Sequence, residues 1–520
     1  MNFEFSKQAN RAILILAVCS LFFIQCGSDD PINEIPKDDN IDKPIEGIKP
    51  APGMDLYGMI VDDKGEPVSN VVVTDGYTST ATNSKGVYQM KKHDDATLVY
   101  YSTPSEYEVN TASKTVNVAS FYSHITAGNK RYDFKLKKLS SVEKDFTLLA
   151  IGDPQVTSVD DIKRFREESM ADIKKFVSTQ TNSCYGIALG DIVGDKPAYF
   201  DQMKGLMGST DMILHPAIGN HDKVAYSDSK KPRNTDDYNK SLGPVNYSFN
   251  RGDVHFVCLD NIIYSNSATY TGGFTDSQVK WLKQDLSYVP KNKMVIVYYH
   301  IPLRDHNYEN RAQVLELLNG YAEVHLMAGH THYNENYMIN SPIKVYEHIH
   351  AAACGSWWRS TLNGDGTPNG YAVYHISGPT IKEWYYKPTN YSKDFQMRLH
   401  KGDAAFGGQY GFFSFTQGQN TVVANVWNAD DKWKIEAFED DKKVADLKPL
   451  SKSLKDAWTL GYHVGVINRN PQNYSPASKH LYLHTMVNPN AKLEIQATDR
   501  FGNVYTESEI VSDHTTAASY

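Results

Sequence analysis

Five short apolar runs lie in the middle of this 520-residue chain, and each is followed by a polar motif. The runs span residues 146–151, 185–189, 212–214, 294–298 and 324–328. Short apolar runs are typical of strands buried on both faces, as in a parallel sheet covered by helices. Apolar residues at helical spacing over 160–180 and 276–286 support an alternation of strand and helix. The pattern predicts a layered α/β domain whose strands end at a shared polar edge.

The motifs that follow these runs are rich in oxygen and nitrogen donors. They are Gly152-Asp153-Pro154-Gln155, Gly190-Asp191-Ile192-Val193-Gly194-Asp195, Gly219-Asn220-His221-Asp222, Tyr299-His300 and Gly329-His330-Thr331-His332. A glycine ahead of a donor residue lets the backbone turn sharply as the strand ends. Seven side chains could then converge: Asp153, Gln155, Asp191, Asn220, His300, His330 and His332. No single motif is specific, but the ordered set indicates a two-metal hydrolase.

This ordered set resembles the pattern of the calcineurin-like metallophosphoesterase superfamily, which runs D-x-H, G-D, G-N-H-D/E, H and G-H-x-H. The resemblance covers residues 143–385 and implies a layered β-sandwich core with flanking helices. It also implies two divalent metal ions, one bound by Asp153, Gln155, Asp191 and His332 and the other by Asp191, Asn220, His300 and His330. Asp191 would bridge them. The implied activity is hydrolysis of phosphomonoesters or phosphodiesters by a hydroxide that bridges the two metals.

One residue departs from that pattern, because Gln155 stands where D-x-H has its histidine. An amide oxygen is a harder and weaker donor than an imidazole nitrogen. We therefore expect the first site to favour manganese or another oxygen-preferring ion, with iron, zinc and magnesium as alternatives. A half-emptied site with poor activity is the other interpretation.

His221 follows the predicted ligand Asn220, so we expect its ring to project over the pocket. There it would act as an acid for the leaving oxygen or as a donor to the phosphoryl group. Asp222 is the expected partner that orients the ring and raises its pKa. Asp195 is interpreted as a supporting or loop-capping carboxylate rather than a ligand.

Candidate substrate contacts lie in three loops. Trp357, Trp358 and Arg359 would either stack a ring and pair with phosphate, or plug a junction between domains. Arg304 is either a phosphate contact or a solvated surface residue. The polar segment 223–245 is either a lid for an anionic substrate or a surface loop.

The first residues predict export from the cytoplasm. An apolar run over 12–24, preceded by two basic residues, suits a signal-peptide core and is too short for a membrane span. Cys26 follows it, and the acidic residues behind Cys26 resemble a bacterial lipoprotein signal for surface export. We predict a signal peptide over 1–26, lipidation of Cys26 at the outer membrane, on either face, and a tether over 27–52. Secretion to the periplasm without lipid is the alternative.

Both flanks of the central region show the period-two alternation that is typical of β-sandwiches. Residues 53–140 resemble a transthyretin-like or carboxypeptidase-regulatory module, either a spacer that buttresses the catalytic domain or a carbohydrate or partner contact. Strand patterns recur over 386–520, at 411–415, 421–427, 433–438 and 492–498. We therefore predict an α/β catalytic domain over 143–385 between two all-β sandwich domains.

Charge and cysteine content restrict the possible partners. A net charge of -8 offers no basic surface for a nucleic-acid scaffold. Apart from the leader, the chain has only Cys184, Cys258 and Cys354, an odd number that supports no disulfide framework. We expect a monomer that acts on a small phosphate ester. The alternative is a surface lipoprotein that keeps an inactive phosphoesterase fold and binds a glycan or a protein partner.

Overall fold

The computed structural model describes residues 48–402, 420–450, 454–468 and 477–511. The described residues from Lys49 onward form one compact unit. The predicted signal peptide over 1–26, residues 27–47 of the predicted tether and the predicted strand 411–415 lie outside the described residues. In the described part of the chain, no helix has the length and apolar character needed to cross a membrane.

Seven of the nine N-terminal strands form two small sheets that share one core. In chain order the nine strands are β1 (Leu56–Asp62), β2 (Val72–Thr74), β3 (Ser79–Ala81), β4 (Val87–Met90), β5 (Leu98–Tyr101), β6 (Thr111–Ser113), β7 (Val116–Ala119), β8 (Tyr122–His124) and β9 (Phe134–Leu136). One sheet has the order β4-β1-β9 and the other β3-β2-β5-β8. Ile60 of the first sheet and Val73 and Val99 of the second are buried in the same hydrophobic cluster. Burial of these facing apolar side chains holds the sheets together.

The central domain stacks two larger sheets with helices on their outer faces. Its strands are β10 (Asp145–Ile151), β11 (Cys184–Leu189), β12 (Ile213–Ala217), β13 (Tyr247–Arg251), β14 (Val254–Cys258), β15 (Ile262–Tyr264), β16 (Tyr270–Gly272), β17 (Met294–Tyr298), β18 (Glu323–Ala328), β19 (Glu335–Ile339), β20 (Val345–Ile349), β21 (Gly370–Ser377) and β22 (Thr380–Pro388). Its helices are α1 (Val159–Phe165), α2 (Ala171–Ser178), α3 (Phe200–Met207), α4 (Asp236–Leu242), α5 (Asp276–Leu286) and α6 (Arg311–Leu317). One sheet has the order β22-β21-β10-β11-β12-β7-β6 and the other β13-β14-β17-β18-β20-β19.

Side chains of the central strands alternate between the two faces of each sheet. In β10, Leu148 and Ala150 belong to the cluster between the sheets, where Ile296 of β17 also lies. Leu149 and Ile151 belong instead to the cluster that includes the helices α1 and α2. Burial on both faces explains why the sequence shows continuous apolar runs here.

Two strands of the N-terminal module also belong to the central domain. Strand β7 pairs in parallel with β12, with Val118 opposite Leu214, and β6 pairs with β7. Together they add two strands to the first central sheet, beside β12. Strand pairing therefore joins the N-terminal module to the central domain.

The predicted helices differ from the observed ones in one detail. A π-helical turn, Arg166–Met170, divides the helix predicted over 160–180 into α1 and α2. Ser169 in this turn donates a hydrogen bond to the carbonyl of Ala353. Helix α5 begins after Thr275, whose side chain forms a capping box with Gln278.

The C-terminal strands form a second sandwich. They are β23 (Met397–Lys401), β24 (Thr421–Val426), β25 (Lys434–Glu439), β26 (Lys442–Leu447), β27 (Leu481–Thr485), β28 (Leu493–Thr498), β29 (Val504–Glu507) and β30 (Ile510–Val511), with the short helix α7 (Ala457–Leu460) and a π-helical turn at Gly461–Val466. The sheet orders are β27-β24-β23-β30 and β26-β25-β28-β29. Leu399 and Ala424 of one sheet pack with Ala437 and Ile495 of the other. The predicted fold class, a layered α/β domain with flanking β-sandwiches, is confirmed.

Candidate metal centre

The predicted donor residues all follow the carboxyl ends of central strands. Asp153 and Gln155 follow β10, Asp191 follows β11, Asn220 follows β12, His300 follows β17, and His330 and His332 follow β18. The first three strands belong to one sheet and the last two to the other. All of these side chains are buried except that of His330, which is half-buried. The site therefore lies where the two sheets end together.

The backbone is left-handed at five of these residues. The φ angle is +41° at Asp153, +42° at Gln155, +48° at Asp191, +70° at His330 and +53° at His332. Residues other than glycine rarely adopt this conformation, and such strain concentrates at functional sites. The surrounding packing must therefore hold these turns in place at some cost to stability.

Two groups of side chains bring possible ligand atoms within 4.8 Å of one another: Asp153, Asp191 and His332 in the first, and Asp191, His300 and His330 in the second. Asp191 belongs to both groups. The amide oxygen of Asn220 lies 3.0 Å from His300 Nε2, beside the second group. Gln155 donates from Nε2 to Asp191 Oδ2 at 3.3 Å, beside the first. Each group contains the carboxylate and imidazole members of one ligand set that the resemblance implied.

His300 is held in the tautomer that a metal ligand needs. Its Nδ1 donates to the carbonyl of Leu189 at 2.7 Å, so Nε2 is the acceptor in the neutral ring. Nε2 lies 3.2 Å from Asp191 Oδ2 and 3.0 Å from Asn220 Oδ1. Three buried acceptors this close together need positive charge among them, either a second proton on Nε2 or a metal ion in its place. This arrangement fits a metal ion.

Two further buried atoms support the same conclusion. Gln155 Oε1 and His332 Nδ1 have no hydrogen-bond partner among the described residues. An unsatisfied buried polar atom costs about 1–3 kcal/mol, which a bound cation would offset. Carboxylate, amide and imidazole donors together suit divalent ions such as manganese, zinc and iron.

Burial and nearby charges shift the pKa values of two site histidines in opposite directions. Burial lowers the pKa of His300, but the carboxylates of Asp191 and Asp153 outweigh it and raise that pKa to about 9. Burial and repulsion from His300 lower the pKa of His330 to about 3. The carboxylates therefore favour positive charge close to Asp191, where the two donor groups meet.

The expectation that Asp222 orients His221 is wrong. The His221 ring donates from Nδ1 to Asp195 Oδ2 at 2.6 Å, and Asp195 also pairs with Arg233. Asp222 is buried and accepts hydrogen bonds from three backbone N–H groups in the turns after β11 and β12. The 3₁₀ turn Asn220–Asp222 thus directs the His221 side chain to Asp195 and the adjacent Asp222 side chain to backbone N–H groups.

His221 lies at the edge of the donor cluster, where two carboxylates favour its protonated form. Burial lowers its pKa, but the hydrogen bond to Asp195 and the charge of Asp191 raise it above its usual value. Its backbone N–H donates to Asp191 Oδ1 at 2.8 Å, which holds His221 beside the carboxylate that the two donor groups share. The side chain is 26% exposed, so a substrate can reach it.

Of the two predicted tryptophans, Trp357 borders the site. Its ring centroid lies 5.6 Å from that of His332 and 6.1 Å from that of His221. Trp358 is buried and stacks on His463 with 5.3 Å between ring centroids. Trp358 thus packs in the interior, as the interpretation of a plug describes. Trp357 instead faces the donor cluster.

The two predicted phosphate-binding arginines have carboxylate partners. Arg304 pairs with Glu335 at 2.5 Å and also bonds to Tyr333. Arg359 donates to Asp161 Oδ1 at 2.7 Å. With 19% of its side chain exposed, Arg304 is not the solvated surface residue of the alternative interpretation. Phosphate binding by either arginine stays a prediction.

Sequence reasoning missed two polar residues that support His300. Glu347 is buried and accepts the backbone N–H groups of Leu303 at 2.6 Å and Arg304 at 2.7 Å. Asn261 Oδ1 accepts the backbone N–H of His300 at 3.2 Å. The sequence did offer one signal for Glu347, a carboxylate in the middle of the apolar strand β20. Charged residues are rarely buried without partners, so such a carboxylate indicates a polar contact inside the fold.

Sequence reasoning also missed the hairpin β15–β16, which borders the other side of the cluster. Tyr270 lies 6.1 Å from His330 between ring centroids. Tyr264 packs against Tyr270 at 5.0 Å and donates from its hydroxyl to the carbonyl of Asn220 at 3.0 Å. Strands of three residues carry too little periodicity to be recognised from sequence.

Three family models match successive parts of the chain. They describe the N terminal of Calcineurin-like phosphoesterase over residues 54–139, Calcineurin-like phosphoesterase over 146–334 and the C terminal of Calcineurin-like phosphoesterase over 347–505. The chain belongs to the calcineurin-like phosphoesterase family, as its motifs predicted. Family and donor groups together support a metal-dependent phosphoesterase, a phosphoric ester hydrolase that binds divalent metal ions.

Matches among solved structures include three proteins of low sequence identity. A dimetal phosphatase from Danio rerio is 16% identical, with 46% of this chain and 94% of that chain covered and a TM-score of 0.32. A purple acid phosphatase from yellow lupin seeds is 12% identical, with 48% and 52% covered and a TM-score of 0.34. PhoD is 10% identical, with 69% and 83% covered and a TM-score of 0.34. TM-scores this low support no further conclusion. A comparison with curated proteins finds no match.

Proposed function

We propose that the protein hydrolyses small phosphomonoesters or phosphodiesters with two divalent cations. Asp153, Gln155, Asp191 and His332 would hold one cation, and Asp191, Asn220, His300 and His330 the other. The observation that carries this proposal is the pair of donor groups that share Asp191 at the ends of the central strands.

Bound cations at these positions would polarise the phosphoryl oxygens and supply a nucleophile at neutral pH. His221 provides the proton for the leaving oxygen, since its pKa is raised and its ring is partly exposed beside Asp191. Asp195 keeps that ring oriented and stabilises its charged form before the transfer. Asp222 holds the two turns that carry Asp191 and His221.

Manganese is the proposed preferred metal. Gln155 supplies an amide oxygen where the superfamily pattern has an imidazole nitrogen, and Asn220 supplies another oxygen donor. Sites with more oxygen donors shift preference toward harder ions such as manganese and magnesium. Metal analysis of the purified protein, followed by reconstitution with each ion, tests this preference. We expect manganese to be the preferred ion, and a preference for another ion would contradict the proposal.

Turnover of p-nitrophenyl phosphate and bis-p-nitrophenyl phosphate, each with and without manganese, tests the proposed activity. We expect metal-dependent hydrolysis, and the better substrate distinguishes monoester from diester chemistry. Asn220→Ala should lower activity by at least about 10- to 100-fold, the usual effect of weakening a metal site. Asn319→Ala, at an exposed position, should leave activity unchanged. Absence of turnover with manganese, iron, zinc and magnesium alike would contradict the proposal.

We further propose that the protein is anchored to the outer membrane through a lipid on Cys26. Support comes from the apolar run over 12–24 and the cysteine directly behind it. Mass spectrometry of the N-terminal peptide should detect an acylated Cys26, and Cys26→Ala should move the protein from the membrane fraction to the soluble fraction. An unmodified N terminus in soluble protein would instead favour secretion without lipid.

A further inference from the structure

Two exposed aromatic side chains border the two halves of the donor cluster. Trp357 is 38% exposed and lies against His332, a member of the first donor group. Tyr270 is 36% exposed and lies against His330, a member of the second group. A phosphoryl group bound between the two donor groups would place its organic substituent within reach of these rings.

The loop that carries Trp357 is fixed on both sides of the tryptophan. Ser356 Oγ donates to Asp161 Oδ2 at 3.1 Å, and Arg359 Nη1 donates to Asp161 Oδ1 at 2.7 Å. Asp161 is itself fully buried at the beginning of α1. The ring is therefore held in place before a ligand arrives, which lowers the entropy lost on binding.

Tyr270 is held in a similar way from the opposite loop. It packs against Tyr264 at 5.0 Å between ring centroids, and the Tyr264 hydroxyl is bonded to the Asn220 carbonyl at 3.0 Å. The guanidinium group of Arg233 lies over the Tyr264 ring, with its central carbon 5.3 Å from the ring centroid. The hairpin thus presents a second rigid ring to the site.

Four polar side chains near the rings already have partners in the fold. Ser356 and Arg359 bond to Asp161, Arg233 pairs with Asp195, and the Tyr264 hydroxyl bonds to backbone. These four side chains are therefore engaged within the fold, while the exposed Trp357 and Tyr270 rings lie beside the cluster. A sugar needs free hydrogen-bonding groups for its hydroxyls, whereas a flat aromatic ring needs only a face on which to stack.

We propose that the substrate is a phosphate ester whose organic group contains a flat aromatic ring, with the size and chemistry of an aryl group or nucleobase. The ring stacks on Trp357, and Tyr270 provides the second apolar surface. This substrate class rests on the proposed phosphoesterase function, since it assumes that the phosphoryl group binds at the donor cluster.

The test compares ligands that match in size and differ in planarity. Binding of benzylphosphonate and cyclohexylmethylphosphonate to the manganese-loaded protein is measured by calorimetry, because phosphonates bind without being hydrolysed. We expect the benzyl compound to bind more tightly by about three- to tenfold, the range of an aromatic contact. Trp357→Ala should abolish this preference, Tyr270→Ala should reduce it, and Trp357→Phe should restore most of it.

Hydrolysis of benzyl phosphate and cyclohexylmethyl phosphate separates the two hypotheses. A wild-type protein that binds both phosphonates equally, or a Trp357→Ala variant that loses both equally, overturns the proposed substrate class even if phosphate is released. A protein that prefers the benzyl ligand but hydrolyses neither ester overturns the proposed function and leaves the aromatic site standing. Tyr288→Ala, which removes an exposed tyrosine at the end of α5, should change neither measurement.

Discussion

Replacement of Asp191 by alanine is expected to remove at least one of the two proposed metal ions and to lower kcat/KM by on the order of 10³-fold or more. Asp191 is the residue that the two donor groups share. Its loss weakens both sites at once, and metal ions supply several kcal/mol of charge stabilisation in the transition state. Elemental analysis of the purified variant, together with steady-state hydrolysis of p-nitrophenyl phosphate, measures both effects.

Asp191→Asn separates charge from local structure. Asparagine can still accept the backbone N–H of His221, which lies 2.8 Å from Asp191 Oδ1, so the turn after β12 should survive. The lost negative charge should nevertheless reduce metal content and activity nearly as much as alanine does. Asp211→Asn, at an exposed position before β12, is the matched control and should behave as wild type. An Asp191→Asn protein with two ions per chain and activity within tenfold of wild type would refute the bridging role.

The positions of the seven donor residues follow from the sequence for a simple physical reason. Parallel strands that are buried on both faces end at one edge, so residues that follow consecutive strands meet there. Asp153 and His332, for example, lie 3.5 Å apart between Oδ1 and Nε2 although they follow strands of different sheets. Strand periodicity and motif order were sufficient to predict this convergence.

The partners of individual polar side chains could not be predicted in the same way. Asp222 is adjacent to His221 in sequence and Asp195 lies 26 residues before it, yet the path of the backbone through the turn brings Asp195 to the ring. Arg359 pairs with Asp161 at a separation of 198 residues. Such contacts depend on tertiary packing, which no local spacing encodes.

The connection between the N-terminal module and the central sheet could not be predicted from the sequence, for a different reason. Strands β6 and β7 contain three and four residues, too few to show a period. Strand β6 is exposed or half-buried, and in β7 only Val118 and Ala119 are buried, so neither strand gives a sign that β7 pairs with β12. A sequence boundary near residue 140 therefore does not mark the edge of the central sheet, which includes strands from both sides of it.

His221→Ala is expected to lower kcat by about 10²- to 10⁴-fold, the range for loss of a general acid, without changing metal content. The loss should depend on the leaving group. p-Nitrophenol leaves readily as an anion, whereas phenol needs a proton at the ester oxygen. The variant should therefore lose more activity on phenyl phosphate than on p-nitrophenyl phosphate, and steady-state kinetics with both esters measures the difference.

Asp195 and Asp222 provide contrasting controls for this prediction. Asp195→Asn keeps a hydrogen-bond acceptor beside the His221 ring but removes the charge that stabilises its protonated form, so it should show a weaker version of the same leaving-group dependence. Asp222→Asn should instead lower thermal stability, because Asp222 satisfies three buried backbone N–H groups and an amide replaces one acceptor oxygen with a donor. Its residual activity should fall equally on both esters. If His221→Ala also falls equally on both, the ring binds the phosphoryl group rather than donating its proton to the leaving oxygen.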